Sequence, residues 1–248
     1  VSRLESLKNI AERYDGYGNS IKRVMEQKAK NPGLLGVVSD LIQVDKRYEI
    51  AIETALSGNI QNIVTEDEAT AKKMIGFLKT NHFGRATFLP LDAITVRDEF
   101  SQKDALKEPG VIGLAKDLVR VNDQYIAVTN HLLGRILVCD TIDHAIAVNK
   151  KFNQSLRIVT VEGELLTPGG AMTGGAFKNS SNLLGRKREL DELSKVLTQL
   201  NDKITTASKE EADLRNKREE LKAEKENLNI RLQEFYLQKN TLRMSLEQ

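Results

Sequence analysis

The sequence predicts a mixed α/β domain made of two duplicated halves, carried between two helical arms that pair as an antiparallel coiled coil. Three observations predict it. A heptad of apolar residues runs from Leu190 to Leu246. An ordered set of Gly, Asp, Val and Tyr residues recurs 77 positions later in the middle of the chain. A glycine-rich segment, Thr167-Pro168-Gly169-Gly170-Ala171-Met172-Thr173-Gly174-Gly175, separates the last expected strand from the long heptad.

The heptad is the least ambiguous element. Steps of three and four from Leu190 give Leu190, Leu193, Leu197, Leu200, Ile204, Ala207, Glu211, Leu214, Arg218, Leu221, Lys225, Leu228, Leu232, Phe235, Lys239, Leu242 and Leu246, of which thirteen of seventeen are apolar. The four exceptions all occupy the a register, and residues 186–248 contain neither Gly nor Pro. A strict 3.5-residue repeat of this length is a coiled-coil seam, because a solitary amphipathic helix drifts off it. Outer pairs such as Glu211 with Arg215 and Asp213 with Lys217 add support at i,i+4. A shorter seam (Leu4, Leu7, Ala11, Tyr14, Gly18, Ile21, Met25) marks an N-terminal arm over residues 1–30. The Asp15-Gly16-Tyr17-Gly18-Asn19 run predicts a soft spot in it, each Gly costing about 1 kcal/mol in a helix interior. Asn31-Pro32-Gly33 stops the arm. If the ends of the middle lie together, the arms pair with each other and residues beyond about Leu214 are expected to fray, bend or pair with another molecule.

Composition bounds the rest. The chain has 248 residues and a net charge of +2. That charge is spread as +3 over residues 1–30, −2 over 31–185 and +1 over 186–248, so nucleic-acid contact would need a local patch. The single Cys139 excludes an internal disulfide and fits a reducing, cytoplasmic setting. No apolar run of about eighteen residues suggests a membrane span, so no membrane partner is expected.

The middle is read as residues 31–182, with halves at about 33–95 and 110–175. Gly33, Gly36, Asp40, Leu41, Val44 and Tyr48 match Gly110, Gly113, Asp117, Leu118, Val121 and Tyr125. Allowing a one-residue gap, Leu56, Gly58, Ile60, Ala69 and Ala71 match Leu132, Gly134, Ile136, Ala145 and Ala147. Each half then predicts a helix (46–57; 123–133), a strand (60–64; 136–139), a second helix (66–80; 142–152) and a closing strand (86–89; 156–161). Small sheets leave edges, and two chains can close them first half against second half about a two-fold axis.

Four glycines in seven residues permit positive φ and close backbone approach. Three readings stand beside one another: a phosphate cradle, a flexible linker into the long arm, and a close-packed protein interface. The first lacks a GxxxxGK[ST] pattern. The duplication independently asks for the third. The phosphate reading is the alternative function: an α/β nucleotide- or phosphate-binding module using the Gly169–Gly175 loop.

The order of heptad arm, Gly33-Leu34-Leu35-Gly36-Val37-Val38-Ser39-Asp40, duplicated halves, Pro168-Gly169-Gly170-Ala171-Met172-Thr173-Gly174-Gly175, Leu183-Leu184-Gly185-Arg186 and second arm resembles the hinge domain of the structural maintenance of chromosomes (SMC) proteins, in their bacterial homodimeric form. The resemblance implies a hinge–hinge homodimer with Gly169, Gly170, Gly174 and Gly175 in the interface. It also implies non-specific DNA binding through basic residues after the glycines. Relatives carry a basic run there, whereas in this chain Lys178 is followed by Asn179 and Ser180. Antiparallel arms would place Lys28 and Lys30 near Lys178, Arg186, Lys187 and Arg188, a patch suited equally to phosphate neutralisation or to solvating helix ends. By the same resemblance the ATPase heads, with ATP and Mg, and the sites for accessory condensin subunits belong to the longer protein, and this fragment itself holds no cofactor.

The remaining chemistry is sparse. His82, His131 and His144 show no metal-ligand spacing, Cys139 lies in an apolar strand, and Tyr48 and Tyr125 read as packing residues. No nucleophile–base set and no paired carboxylates stand out, so no catalytic site is expected.

Overall fold

The structure is a computed structural model that describes residues 3–6, 9, 17–95, 99–176 and 182–246. The chain divides into two bodies, residues 1–193 and residues 194–248.

In the first body, helix α1 (Asn19–Met25) precedes strand β1 (Leu34–Val37), helix α2 (Val38–Leu41) and strand β2 (Gln43–Val44). Helix α3 (Glu49–Leu56), strand β3 (Ile63–Thr65), helix α4 (Glu68–Thr80) and strand β4 (Phe88–Pro90) complete the first half. The second half repeats the order with β5 (Val111–Leu114), β6 (Val119–Arg120), α5 (Ile126–Leu133), β7 (Ile136–Cys139), α6 (Ile142–Lys151) and β8 (Arg157–Thr160). It then adds a hairpin, β9 (Leu165–Leu166) and β10 (Met172–Thr173). Helix α7 (Leu183–Leu246) follows.

The duplication is borne out in the ladders. β1 pairs antiparallel with β3, and β3 parallel with β4. β5 pairs antiparallel with β7, and β7 parallel with β8. Each antiparallel pair carries an irregularity at its glycine, between Leu34 and Gly36 and between Val111 and Gly113. β2 and β6 pair with each other and join the halves. Even the tight spots coincide. A Cβ on Gly33 would lie 2.4 Å from Thr70 Oγ1, and one on Gly110 would lie 2.3 Å from the His144 ring.

The register of the repeat needs correction. The short 3₁₀ turns before α3 and α5, Lys46–Tyr48 and Asp123–Tyr125, keep the offset of 77, as do the buried Leu56 and Leu133. The ladders, however, equate Leu34↔Thr65 with Val111↔Cys139, so the strands stand 74 apart. The gap is three residues rather than one, and a 3₁₀ turn over Ser57–Gln61 takes up the extra length in the first half. The true mate of Ala71 is therefore Ala145, both buried, whereas Ala147 is exposed.

Packing explains the frame. β3 and β7 are buried along their whole length, which is why they read as continuous apolar runs. A shared core between the halves contains Ile52, Leu56, Val64, Leu133, Val138 and Val159, with Leu183 and Leu184 from the start of α7. Each half also has an outer core. In the first, Ile21, Val24 and Met25 of α1 cover Val37, Ile63, Met74 and Leu78. In the second, Phe100 and Ala105 cover Leu114, Leu137, Val148 and Ile158. Residues 19–25, assigned above to an arm ending at residue 30, thus belong to the globular body. Helix α1 ends at Met25 and a 3₁₀ turn at Lys28–Lys30 replaces the arm's expected last turn. The predicted soft spot is non-helical at Tyr17 and Gly18, and its first residues, Asp15 and Gly16, lie outside the described residues.

The second body is helical from residue 194 to Leu246. Beyond Leu214, where fraying, bending or pairing with another molecule was expected, the helix runs on to Leu246. The segment lacks helix breakers, and Glu211 pairs with Arg215 at 2.9 Å and Glu219 with Lys222 at 2.8 Å. Its seam, including Leu214, Leu221, Leu228, Phe235 and Leu242, is exposed.

Candidate functional site

The glycine segment is a hairpin at the rim of the larger sheet, whose strand order is β10-β9-β8-β7-β5. Met172 faces Leu166 and Thr173 faces Leu165. The turn is closed by Thr167 N–H donating to Ala171 O at 3.0 Å and Gly170 N–H donating to Thr167 O at 3.0 Å. Gly169 and Gly170 have φ of 91° and 89°, a region that costs ordinary residues roughly 1–2 kcal/mol each. Gly169 N–H donates to Gln154 O at 2.9 Å, which ties the turn to the end of α6. The Gly169 and Gly170 amides are thus already occupied and do not serve as donors to a phosphate.

Residues 168–176 are all exposed, and Met172 is 59% exposed. A Cβ at Gly169 or Gly175 would meet nothing within 4 Å, and one at Gly170 or Gly174 would reach only Gln154 or Glu164 side-chain atoms at 3.1 Å. The glycines therefore serve no packing need inside this chain. They leave β10 as an uncharged strand whose outer edge has, among the described residues, no neighbouring strand, a template for pairing with another chain.

The second site is the neck, where both arms meet the body. Tyr17 OH lies 2.7 Å from Ser39 Oγ and donates to Asp40 at 3.2 Å. Lys187 of α7 donates to the Asp40 backbone carbonyl. Arg3 pairs with Glu189 at 2.6 Å, and Leu4 is buried. The chain thus enters and leaves on the same side, as the reading of paired arms requires. Burial pushes the Asp40 carboxyl above its usual range, while Lys187, Tyr17 and Lys28 pull it down.

Helix α7 starts on α3. Asn182 caps it, its Oδ1 accepting from Gly185 N–H at 2.7 Å. Glu53 accepts from the backbone N–H groups of Leu183 and Leu184, a helix N-terminus that suits a carboxylate. Burial nevertheless pushes its pKa up to about 7, with Glu49 adding to the rise and Arg186 opposing it. Glu49 pairs with Arg188, which also holds Glu192 at 2.9 Å.

Of the basic residues named from the sequence, Lys187 and Arg188 are half-buried in these contacts, Arg186 is half-buried beside Glu53, and Lys178 lies outside the described residues. Lys28 donates to Leu35 O at 3.0 Å. The statement that no paired carboxylates stand out is corrected: Glu49 and Glu53 form a buried pair on one face of α3. Their signal was two acids at i,i+4 in the otherwise apolar Glu49-Ile50-Ala51-Ile52-Glu53-Thr54-Ala55-Leu56. Glu49 pairs with Arg188 and Glu53 faces the first amides of α7 with its Oε2 left unpartnered, so the two anchor an arm. Cys139 is buried and its thiol is pushed up to about 12, which leaves it unreactive. Tyr125 is buried in the shared core and Tyr48 packs against it. Among the described residues no group of three His, Cys, Asp or Glu side chains could hold a metal ion, and no helix is long and apolar enough to cross a membrane.

A doubled α/β body with one open, glycine-flanked strand, set where two helical arms meet, defines a hinge-type association module. Residues 31–149 match the family described as SMC proteins Flexible Hinge Domain. The crystal structure of an asymmetric dimer of the Geobacillus stearothermophilus SMC hinge domain superposes with a TM-score of 0.75 at 39% identity, covering 82% of this chain and 83% of that one. The chain is 35% identical over 237 residues to the chromosome partition protein Smc of Lactiplantibacillus plantarum, which is 94% of this chain and 20% of that protein. It is 38% identical over 218 residues to the Bacillus subtilis protein of that name, 87% of this chain and 18% of the relative. The chain belongs to the SMC hinge family. It spans about one fifth of the length of these relatives.

Proposed function

We propose that this domain is the homodimerisation hinge of a cytoplasmic, nucleoid-associated SMC protein in chromosome condensation and segregation, and that it joins two coiled-coil protomers rather than catalysing a reaction. The observation that carries the proposal is the open edge of β10, exposed and flanked by Gly169, Gly170, Gly174 and Gly175. The first half's sheet, β1-β3-β4, ends at β4 without an added hairpin. In the dimer β10 of each copy lies along β4 of the other, so both edges close about one two-fold axis. The ATPase heads, with their ATP and Mg, and the sites for accessory subunits lie in the longer protein, as the length of the relatives supports.

Sedimentation equilibrium tests this. The chain is expected to be a dimer. Replacing Met172, whose N–H points away from β9, with Pro removes an edge N–H and is expected to give a folded monomer, whereas a dimer of unchanged affinity would exclude β10 from the interface.

An auxiliary, sequence-nonspecific DNA contact at the neck, through Lys178, Arg186, Lys187 and Arg188, is part of the same proposal. Because Lys187 and Arg188 already hold Asp40 and Glu49, each contributes less than a free cation. Changing Lys178, Lys187 and Arg188 together to Glu is expected to weaken binding and flatten its salt dependence. An unchanged salt slope would remove this patch as the contact.

A further inference from the structure

We propose that the crevice between the two halves is a binding site for a small phosphate-class oxyanion, gripped by Arg135 and Arg157. The crevice has a volume of about 540 Å³, within the range of small-molecule sites, and among the described residues no Asp or Glu lines it. Its polar groups include Arg135, Arg157, His131, Asn59, Asn62 and Gln102.

The two arginines are placed by the sheet. Arg157 is the first residue of β8 and pairs in register with Ile136, so Arg135, one residue earlier, stands beside it at the same end of two parallel strands. Among the described residues no ion pair engages either of them, and Arg157 Nε is buried without a hydrogen-bond partner. A buried guanidinium donor with nothing to donate to is costly. The walls are fixed. Gln102 Nε2 donates to Ser155 Oγ at 2.9 Å, Ser155 Oγ donates to Phe152 O at 2.6 Å, and Asn62 Nδ2 donates to Asn59 Oδ1 at 3.0 Å.

Two arginines lining one crevice fit a multiply charged, three- or four-oxygen anion better than a single carboxylate. Phosphate near neutral pH carries about 1.5 to 2 negative charges. The same chemistry serves free phosphate and the phosphate of a small phosphorylated molecule. The crevice is bounded by Leu89 of β4 and by Pro168 at the start of the glycine hairpin, so the site adjoins the proposed dimer edge and rests on a dimer that leaves the crevice open.

Isothermal titration of the intact chain with inorganic phosphate, pyrophosphate and acetate, at constant ionic strength, tests the assignment. Saturable binding of phosphate or pyrophosphate, one per chain, is expected, with acetate much weaker. Tighter pyrophosphate binding points to a phosphorylated molecule, and equal affinity to free phosphate. Arg157→Gln is expected to weaken it about tenfold to a hundredfold. Arg135→Gln, at an exposed position that folding tolerates, is expected to weaken it in the same direction. No saturable heat with either phosphate, or affinities untouched by both variants, overturns the proposal. So does a variant that lowers the mass measured by sedimentation while leaving anion affinity intact, since the arginines would then be interface groups.

Discussion

The two halves have the same ladders, the same glycine positions and the same tyrosines before the same helices, yet they treat equivalent helix positions in opposite ways. Glu49 is 4% exposed on α3, while its mate on α5, Ile126, is 46% exposed. Glu53 is likewise buried, and its mate is Asn130. A buried acid opposite an exposed isoleucine inverts ordinary burial preference. The reason is that α7 begins on the first half, bringing Arg188 and its own N-terminal amides to α3. The sheets differ in the same spirit: the second half ends in an added hairpin with an open strand, and the first ends at β4. Where the halves agree, the core sets the residue. Where they differ, one half has acquired a neighbour.

The largest effect should come from breaking what they share. Ile63 and Leu137 are repeat mates and fully buried. Changing either to Ala is expected to cost about 2–5 kcal/mol, read by denaturant unfolding. Because both halves share a core, each variant should lower one cooperative transition, and two separate transitions would show the halves to be independent.

Next comes the position where they differ. The Glu53 pKa is raised in the folded state from 4.5 to about 7, so the folded chain binds the extra proton between those values. The stability that Glu53 contributes is then fully present below about pH 4.5, is lost as the pH rises to about 7 and stays lost above it. The loss amounts to about 1–3 kcal/mol after allowance for solvent screening. Glu53→Gln should flatten this profile and stabilise the domain at pH 8, whereas a parallel profile would place the proton elsewhere.

Smaller still is the contrast between Gly110 and Gly33. Gly110 has φ of 80° and faces the His144 ring, while Gly33 faces the Thr70 side chain without a positive φ. Gly110→Ala should cost about 1–3 kcal/mol in thermal unfolding and Gly33→Ala less, and equal losses would mean that crowding alone matters. The smallest change is expected from Glu189→Gln, which removes an exposed pair with Arg3. It should be barely detectable at low salt and absent at high salt.

The duplicated frame, the strand at Ile136–Cys139, the helix α6 and the exposed glycine segment were legible because each rests on local pattern: apolar runs, heptads, glycines at fixed spacing. The three-residue gap was not legible. Identities at Ala69 and Ala71 favoured a one-residue shift, and only the hydrogen-bonded ladder says which alanine lies inside. The assignment of residues 19–25 to an arm failed for a related cause. Ile21, Val24 and Met25 carry the same helical spacing whether they face a partner helix or a sheet. Lys187 and Arg188 read as free cations because their acceptors, Asp40 and Glu49, are 147 and 139 residues away.

The amino-acid order by itself determined the two-fold α/β frame, the long C-terminal helix and the place of the glycine turn, since these follow from periodicity and backbone freedom within a few residues. Tertiary structure alone decided which half receives α7, which carboxylates are buried beneath it and which strand is left open. Those outcomes depend on groups far apart in sequence that compete for the same neighbours, and no local pattern records who wins.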